Sequence, residues 1–484
     1  MIAVQLNKSD FEYDIHSLIR AFYPGMDVPL YLEGEPKPEG CEMSLRVVYG
    51  PDSISVTLLD DREQELAGDT RTFEDGCGRT QRKNLLKKML YEMLSEHTGQ
   101  KLPWGNLTGI RPTKIPMGLL ETGWKNTQIA EYMRNTYYTS NEKTALAISI
   151  ANRERAILRD IDYQNGYSLY VGIPFCPSIC LYCSFSSSPL SVWKPKVDTY
   201  LDALCHEIES CAGMWAQKKL DTVYIGGGTP TTLEPEQMDR LLTKLEESFD
   251  YSHLKEFTVE AGRPDSITKE KLETLRKHGI SRISINPQTM NDSTLELIGR
   301  KHTVRQTVEA FRMARELGFD NINMDLIVGL PGEGYEEVEY TMQEVTALKP
   351  DSVTVHSLAL KRARRLNLFK DRYQEISFQN SSRIMDMTAR YAAEAGLFPY
   401  YLYRQKNMAG NFENVGYSRT GAEGIYNILI MEEKQTIVAC GAGTITKRVF
   451  PDGRIERCDN VKDVALYIEK IDEMIERKRN LFAD

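Results

Sequence analysis

No apolar run in this chain approaches the ~20 residues that a membrane-spanning helix needs. The first ten residues, Met1 to Asp10, lack the charged start and long apolar stretch of an export signal. Histidine is scarce, seven in 484 residues, and the seven form no obvious catalytic set. A positive excess is missing too. Sixty Lys and Arg face 69 Asp and Glu, a net charge of −9, which makes a poor general binder of nucleic acid or anionic membrane. Repeats and low-complexity tracts are absent. The 41% hydrophobic and 27% charged fractions are those of a globular protein. Thiols without an export signal point to a reducing cytoplasm.

The length predicts two or three domains. Residues 1–160 read as an α+β accessory domain. Strand-like runs at Met43–Val48 and Ser53–Leu59 flank Tyr49-Gly-Pro-Asp52, a hairpin turn. Helical patterns follow at about 82–96, 126–137 and 141–160, separated by the Gly- and Pro-rich loop 102–113. Residues 161–360 alternate apolar strand runs, near 168–173, 221–225, 256–260, 281–285, 321–328 and 352–358, with amphipathic helices. Six such repeats predict buried parallel strands curled into a partial (β/α)6 barrel, with chemistry at the carboxyl ends of its strands. Residues 361–484 read as a C-terminal α+β substrate or cap domain. It has a helix at about 378–395, strands near 425–430 and 435–439, a hairpin at Pro451-Asp-Gly453 and a terminal helix at about 461–479.

Three of the nine cysteines stand in one short loop: Cys176, Cys180 and Cys183, spaced C-x3-C-x2-C directly after the run Leu169–Ile173. A cubane [4Fe–4S] cluster has four iron corners, and thiolates are its usual ligands. Three thiolates hold three corners. No further cysteine follows before Cys205, so one iron stays open to a non-protein ligand. Zinc is the rival. It favours paired C-x2-4-C units or histidine partners, and no second pair is present. Cys41, Cys77, Cys205, Cys211, Cys440 and Cys458 read as small buried hydrophobes.

Polar groups recur at the other strand ends. Gly226-Gly-Gly228-Thr-Pro230 lets the backbone approach a ligand or simply turn tightly. Glu260 ends the third strand, Gln288 follows the fourth, Arg300 follows a short helix, and Asp325 ends the fifth. His356 in the sixth strand reads as a packed histidine more readily than as a haem ligand. Lys361-Arg-Ala-Arg-Arg365, with Arg404 and Lys406, offers cations for a substrate with several carboxylates, or else a solvated basic face.

The cysteine motif, Gly226-Gly-Gly-Thr-Pro and Asp325-Leu-Ile-Val-Gly-Leu-Pro resemble radical S-adenosylmethionine (SAM) enzymes, specifically the oxygen-independent coproporphyrinogen III oxidase group. The run Tyr403-Arg-Gln-Lys-Asn-Met-Ala-Gly-Asn-Phe-Glu-Asn-Val-Gly-Tyr417 and the N-terminal domain are similar to its HemZ branch. The resemblance implies a radical SAM barrel with two cofactors, a [4Fe–4S] cluster on Cys176, Cys180 and Cys183, and SAM on its open iron. By position, Tyr170, Tyr182, Gly227, Gly228, Thr229, Glu260, Gln288, Arg300, Asp325 and Ala359 match SAM-contacting residues. It implies the decarboxylation of two propionates of coproporphyrinogen III to the vinyl groups of protoporphyrinogen IX, through a 5′-deoxyadenosyl radical. The implied partners are a tetrapyrrole and an unidentified electron donor. One departure stands out. The oxidase has a fourth cysteine one residue after the third, where Ser184 and Phe185 follow Cys183 here. Related haem-binding chaperones also lack that cysteine, and a further branch opens the haem ring by radical methyl transfer.

Overall fold

Alternation of apolar and polar residues builds the first sheet. The computed structural model describes residues 1–74, 76–183, 187–358, 380–405 and 412–483. Its strands β1 (Ile2–Leu6), β2 (Leu30–Leu32), β3 (Met43–Tyr49), β4 (Ser53–Leu59) and β5 (Glu65–Thr72) form one sheet in the order β2-β1-β3-β4-β5. β3 and β4 pair antiparallel about the predicted turn, where Gly50 N–H donates to Ser53 O at 2.9 Å. Leu45, Val47, Ile54, Val56 and Leu58 share a core with Ile15, Leu18, Ile19 and Phe22 of helix Glu12–Phe22 and with Leu86, Met89 and Leu90 of helix Arg79–Thr98. Helices Asn126–Tyr137 and Asn141–Ile157 lie where the periodicity predicts them. β1, β2, β5 and the helices Glu12–Phe22 and Lys114–Glu121 come in addition. This unit comprises Met1–Asn152 and Tyr403–Glu413.

The second unit, Arg153–Leu402 with Asn414–Asp484, is organised on an 11-stranded sheet. At its centre six strands run in chain order: β6 (Gly166–Ile173), β9 (Lys219–Gly227), β10 (Glu256–Glu260), β11 (Arg282–Ser284), β12 (Ile322–Val328) and β13 (Ser352–Ser357). Each pairs parallel with its neighbour. Between β6 and β9 the short strands β7 (Phe175–Cys176) and β8 (Ser188–Pro189) pair with one another. Amphipathic helices Val197–Trp215, Pro235–Ser248, Lys269–Lys277, Val304–Glu316 and Tyr335–Ala347 connect the six, close to the predicted bounds. Among the described residues the run is open. β13 pairs antiparallel with β15 (Asn414–Ser418), which adjoins β14 (Phe398–Tyr403), and β6 pairs parallel with β16 (Thr436–Cys440). β17 (Ile445–Val449) and β18 (Ile455–Asp459) form the hairpin predicted at Asp452-Gly453.

The strands differ from the apolar runs expected of them. In-register neighbours place Leu169, Val223 and Phe257, then Val259 and Ile283, on one face, while Ser168, Thr222 and Glu256, then Glu260, Ser284, Asn323 and Ser352, share the other. The polar face is held by its own hydrogen bonds. Thr222 Oγ1 donates to Ser168 Oγ at 2.8 Å, and Ser352 Oγ and Arg282 join through a 3.0 Å bond. A second difference is residues 425–430, expected as a strand. They belong to helix Ile425–Glu432, whose first N–H is bound by the buried carboxylate of Glu256. A carboxylate at a helix N-terminus satisfies an otherwise unbonded donor. The expected terminal helix is two, Val464–Glu469 and Ile471–Phe482.

Candidate functional site

The cysteine loop leaves β6 and is pinned on both sides. Gly228 N–H donates to Ile173 O and Thr229 N–H to Phe175 O, both at 2.7 Å. A Cβ on Gly228 would sit 2.5 Å from Phe175 O, so a strand–loop contact requires this glycine. Gly227 has φ +113°, which only glycine adopts freely. On the far side Leu181 N–H donates to Ile298 O at 3.0 Å and Ser178 Oγ to Gly299 O at 3.1 Å. Cys176 and Cys180 are buried and Cys183 is half-buried.

Donors already point at two of the sulfurs. Thr229 Oγ1 donates to Cys176 Sγ at 3.6 Å, and Arg263 Nη1 to Cys180 Sγ at 3.8 Å. Among the described residues no three Cys, His, Asp or Glu side chains gather so as to hold a metal ion. A cubane makes a different demand, one thiolate for each separate iron corner. Three thiols, two of them with a hydrogen-bond donor on the sulfur, suit it.

Tyrosines of β6, β9 and helix Ile425–Glu432 pack their rings in a near-parallel triangle. Tyr170 and Tyr224 have ring centroids 6.0 Å apart, Tyr224 and Tyr426 4.6 Å, and Tyr170 and Tyr426 6.1 Å, with interplanar angles of 14°, 26° and 21°. Tyr224 donates its O–H to Glu260 Oε1 at 2.6 Å. Removal from water pushes the Glu260 carboxyl up to about 7. The Tyr224 hydroxyl opposes this, the charge of Asp325 adds to it, and the Gly227 N–H opposes it. Gly226 leaves the room beside Glu260, since a Cβ there would meet the carboxylate at 3.1 Å.

Asp325 lies in the middle of β12, not at its end as expected. Burial works to raise its carboxyl, but hydrogen bonding and charge from His356, with Asn323 and Thr354, hold it below its usual value. His356 Nε2 is 3.9 Å from Asp325 Oδ1, on the polar face. Gln288 adopts φ +69°, a strained conformation for glutamine, and its backbone joins β12 by N–H to Asp325 O at 3.0 Å and O from Ile327 N–H at 2.9 Å. Arg300 is buried and donates Nη1 to Asn286 O, while its Nε, Asn286 Oδ1 and Ser284 Oγ are buried without a partner. Such orphaned buried polar atoms fit a polar ligand. Tyr182 packs on Leu295, Ile298, Ile327, Leu330 and Leu358.

The chain therefore brings Tyr170, Glu260 and Asp325 into electrostatic contact, and likewise Arg300, Tyr182 and Cys180. Ala359, Ser184, Phe185, Lys361–Arg365 and Lys406 lie outside the described residues. Arg404, expected among substrate-binding cations, is buried in the first unit with Nη1 on Leu107 O at 2.7 Å. Sequence reasoning missed Tyr224, Tyr426 and Arg263. The period-2 spacing of Tyr224 from Gly226 marks the face of the first. Nothing local signals the other two.

Residues 170–345 match the radical SAM superfamily. A coproporphyrinogen III oxidase (HemN) structure from Escherichia coli, a radical SAM enzyme, superposes with a TM-score of 0.53 at 25% identity, covering 66% of this chain and 73% of that one. Fold and site thus define a radical SAM protein, and the class carries a [4Fe–4S] cluster and SAM as cofactors. The oxygen-independent coproporphyrinogen-III oxidase-like protein HemZ of Bacillus subtilis is 42% identical over 402 residues, 82% of this chain and 80% of the relative. The chain belongs to this HemZ family. The haem chaperone HemW of Bacillus subtilis is 39% identical over 195 residues, 40% of this chain and 51% of the relative. The oxygen-independent coproporphyrinogen III oxidase of Escherichia coli is 32% identical over 245 residues, 50% and 53% respectively. The chain thus spans about half the length of these last two. No helix among the described residues is long and apolar enough to cross a membrane.

Proposed function

We propose that this protein removes carbon dioxide, a hydrogen atom and an electron from each of two propionates of coproporphyrinogen III, leaving the vinyl groups of protoporphyrinogen IX without oxygen. Cys176, Cys180 and Cys183 hold the [4Fe–4S] cluster. Tyr170, Tyr182, Gly227, Gly228, Thr229, Glu260, Gln288, Arg300, Asp325 and Ala359 form the SAM shell. Bound there and reduced by one electron, the cluster would supply the cleavage of SAM to methionine and a 5′-deoxyadenosyl radical, which would leave as 5′-deoxyadenosine with the propionate hydrogen, while the electron released with carbon dioxide would pass to an acceptor. The chain supplies position and dryness. Gly226–Gly228 admit the ligand close to the backbone, Glu260 and Asp325 offer anionic acceptors for its ammonium or hydroxyl donors, and the packed rings of Tyr170, Tyr224 and Tyr426 exclude water beside Glu260. The electron comes from a donor in a reducing cytoplasm.

The observation that carries this reading over its rival is the span of the likeness. The HemZ match runs over 402 residues at 42% identity, and the haem-chaperone matches over 195 to 307 residues at 27–39%. A chaperone reading keeps the cluster but transfers haem without consuming it, and Ser184 and Phe185 after the third cysteine favour it. Anaerobic incubation of the reconstituted protein with dithionite, SAM and coproporphyrinogen III separates the two. Carbon dioxide, 5′-deoxyadenosine and protoporphyrinogen IX in step support decarboxylation. Stable haem binding with no change in coproporphyrinogen rejects it in favour of the chaperone. A methylated open-chain product from haem rejects it in favour of another radical tetrapyrrole chemistry.

A further inference from the structure

Arg263 is a cation with almost no water, 3% exposed, and the SAM shell does not use it. It follows β10 in Glu260-Ala-Gly-Arg-Pro-Asp265. Its guanidinium reaches in two directions. Towards Asp265, Nε donates to Oδ1 at 2.9 Å and Nη2 to Oδ2 at 2.6 Å, a bidentate pair. Towards the cysteine loop, Nη1 donates to Ser178 Oγ at 2.9 Å, Ser178 O at 3.2 Å and Cys180 Sγ at 3.8 Å. Asp265 is itself only 16% exposed in its side chain, so the pair sits where charges are weakly screened.

A brace for the loop needs only the two bonds to Ser178. The bond to Cys180 Sγ does something else. A sulfur that carries iron bears more negative charge when its cluster is reduced, and donors or cations on that sulfur favour the reduced state. We propose that Arg263 is a positioning residue that raises the reduction potential of the cluster through Cys180, with Asp265 as the counter-charge that limits the effect. Thr229, on Cys176 Sγ, acts in the same direction without a charge. One electron enters the cluster from a low-potential donor, for which dithionite stands in, and no bond in the protein is made or broken.

The proposal rests on the reading that Cys176, Cys180 and Cys183 hold the cluster, and the test separates the two. The full chain and the variants Arg263→Gln, Arg263→Lys and Asp265→Asn are reconstituted anaerobically with iron and sulfide. Iron and sulfide per chain are measured, and the midpoint potential is read by electron paramagnetic resonance during a dithionite titration. Arg263→Gln is expected to shift the midpoint negative, Arg263→Lys to restore most of the shift, and Asp265→Asn to move it positive. Equal midpoints in loaded wild type and loaded variants overturn the proposal and leave the ligand reading intact. Failure of the wild type to take up iron overturns the ligand reading, and the proposal with it. If Arg263→Gln loads poorly, Asp265→Asn still decides, because freeing the guanidinium from its counter-charge requires a positive shift, and an unchanged or negative midpoint in loaded Asp265→Asn overturns the proposal.

Discussion

Glu260 shows how one residue couples the site to stability. Its carboxyl titrates near 4.5 in an ordinary setting and about 7 in the fold, chiefly because it has left water. Below pH 4.5 both folded and unfolded chains hold the proton, and burial costs nothing in charge. Between pH 4.5 and 7 the folded chain keeps a proton that the unfolded chain releases, so stability falls as pH rises. Above pH 7 both are ionised and the full cost stands, up to roughly 3 kcal/mol. Glu260→Gln has no such proton. Thermal melts of the cluster-free chain at pH 5 and pH 8 are expected to show a larger drop for the wild type than for Glu260→Gln. Equal drops refute the account. Tyr224→Phe is expected to deepen the wild-type drop, because the lost hydroxyl favours the carboxylate. The same carboxylate, ionised above pH 7, is the form that accepts a donor from an ammonium ligand, so stability and ligand binding pull it in opposite directions.

At the scale of elements, the Gly226–Gly228 turn serves the protein before it serves a ligand. Its Gly228 amide holds Ile173 O, the next amide, Thr229, holds Phe175 O, and Gly228 leaves no room for a Cβ beside Phe175 O. Gly228→Ala forces backbone apart, an overpacking cost of about 1–3 kcal/mol. The displaced strand carries Cys176. The expected result is a lower melting temperature together with less iron bound per chain after reconstitution. Gly213→Ala, in helix Val197–Trp215 with no atom within 4 Å of its Cβ, is the control and is expected to lose neither. Normal iron content in Gly228→Ala would show that the turn does not govern the loop. The elements also show what could be read in advance. The cysteine trio was legible because its members are neighbours in sequence, and the six β–helix repeats because each amphipathic helix carries its own period. Residues 425–430 were misread because a short apolar run has no period to tell a strand from a buried helix, and the deciding contact, Glu256 on Ile425 N–H, is 169 residues away. The polar face of the strands was hidden by the same apolar runs. Tyr426 and Arg263 were missed because their roles are made by contacts across the sheet and loop rather than by any pattern along the chain.

The whole molecule divides into two compact units, and the first of them is discontinuous, since Tyr403–Glu413 belongs to Met1–Asn152. That segment lies between β14 and β15, so the sheet of one unit sends out part of the other. Among its described residues, Glu413 carries a buried polar anchor. Its carboxylate is 1% exposed, accepts Trp104 Nε1–H at 2.7 Å, and pairs with Lys143 Nζ at 2.5 Å, itself 9% exposed. Removing one partner of a buried pair leaves the other charge without compensation, which costs about 3–5 kcal/mol, whereas replacing both with uncharged groups of similar volume is often close to neutral. Glu413→Gln and Lys143→Met are therefore each expected to lower the unfolding temperature of the first unit in calorimetry. The double variant is expected to lose less than the sum of the two. Strict additivity would mean that the pair does not act as a unit. The loss is also expected to stay local. The cysteine loop and its Arg263, Thr229 and Gly228 contacts lie wholly in the second unit, so iron uptake by the Glu413 variant should match the wild type wherever that unit remains folded.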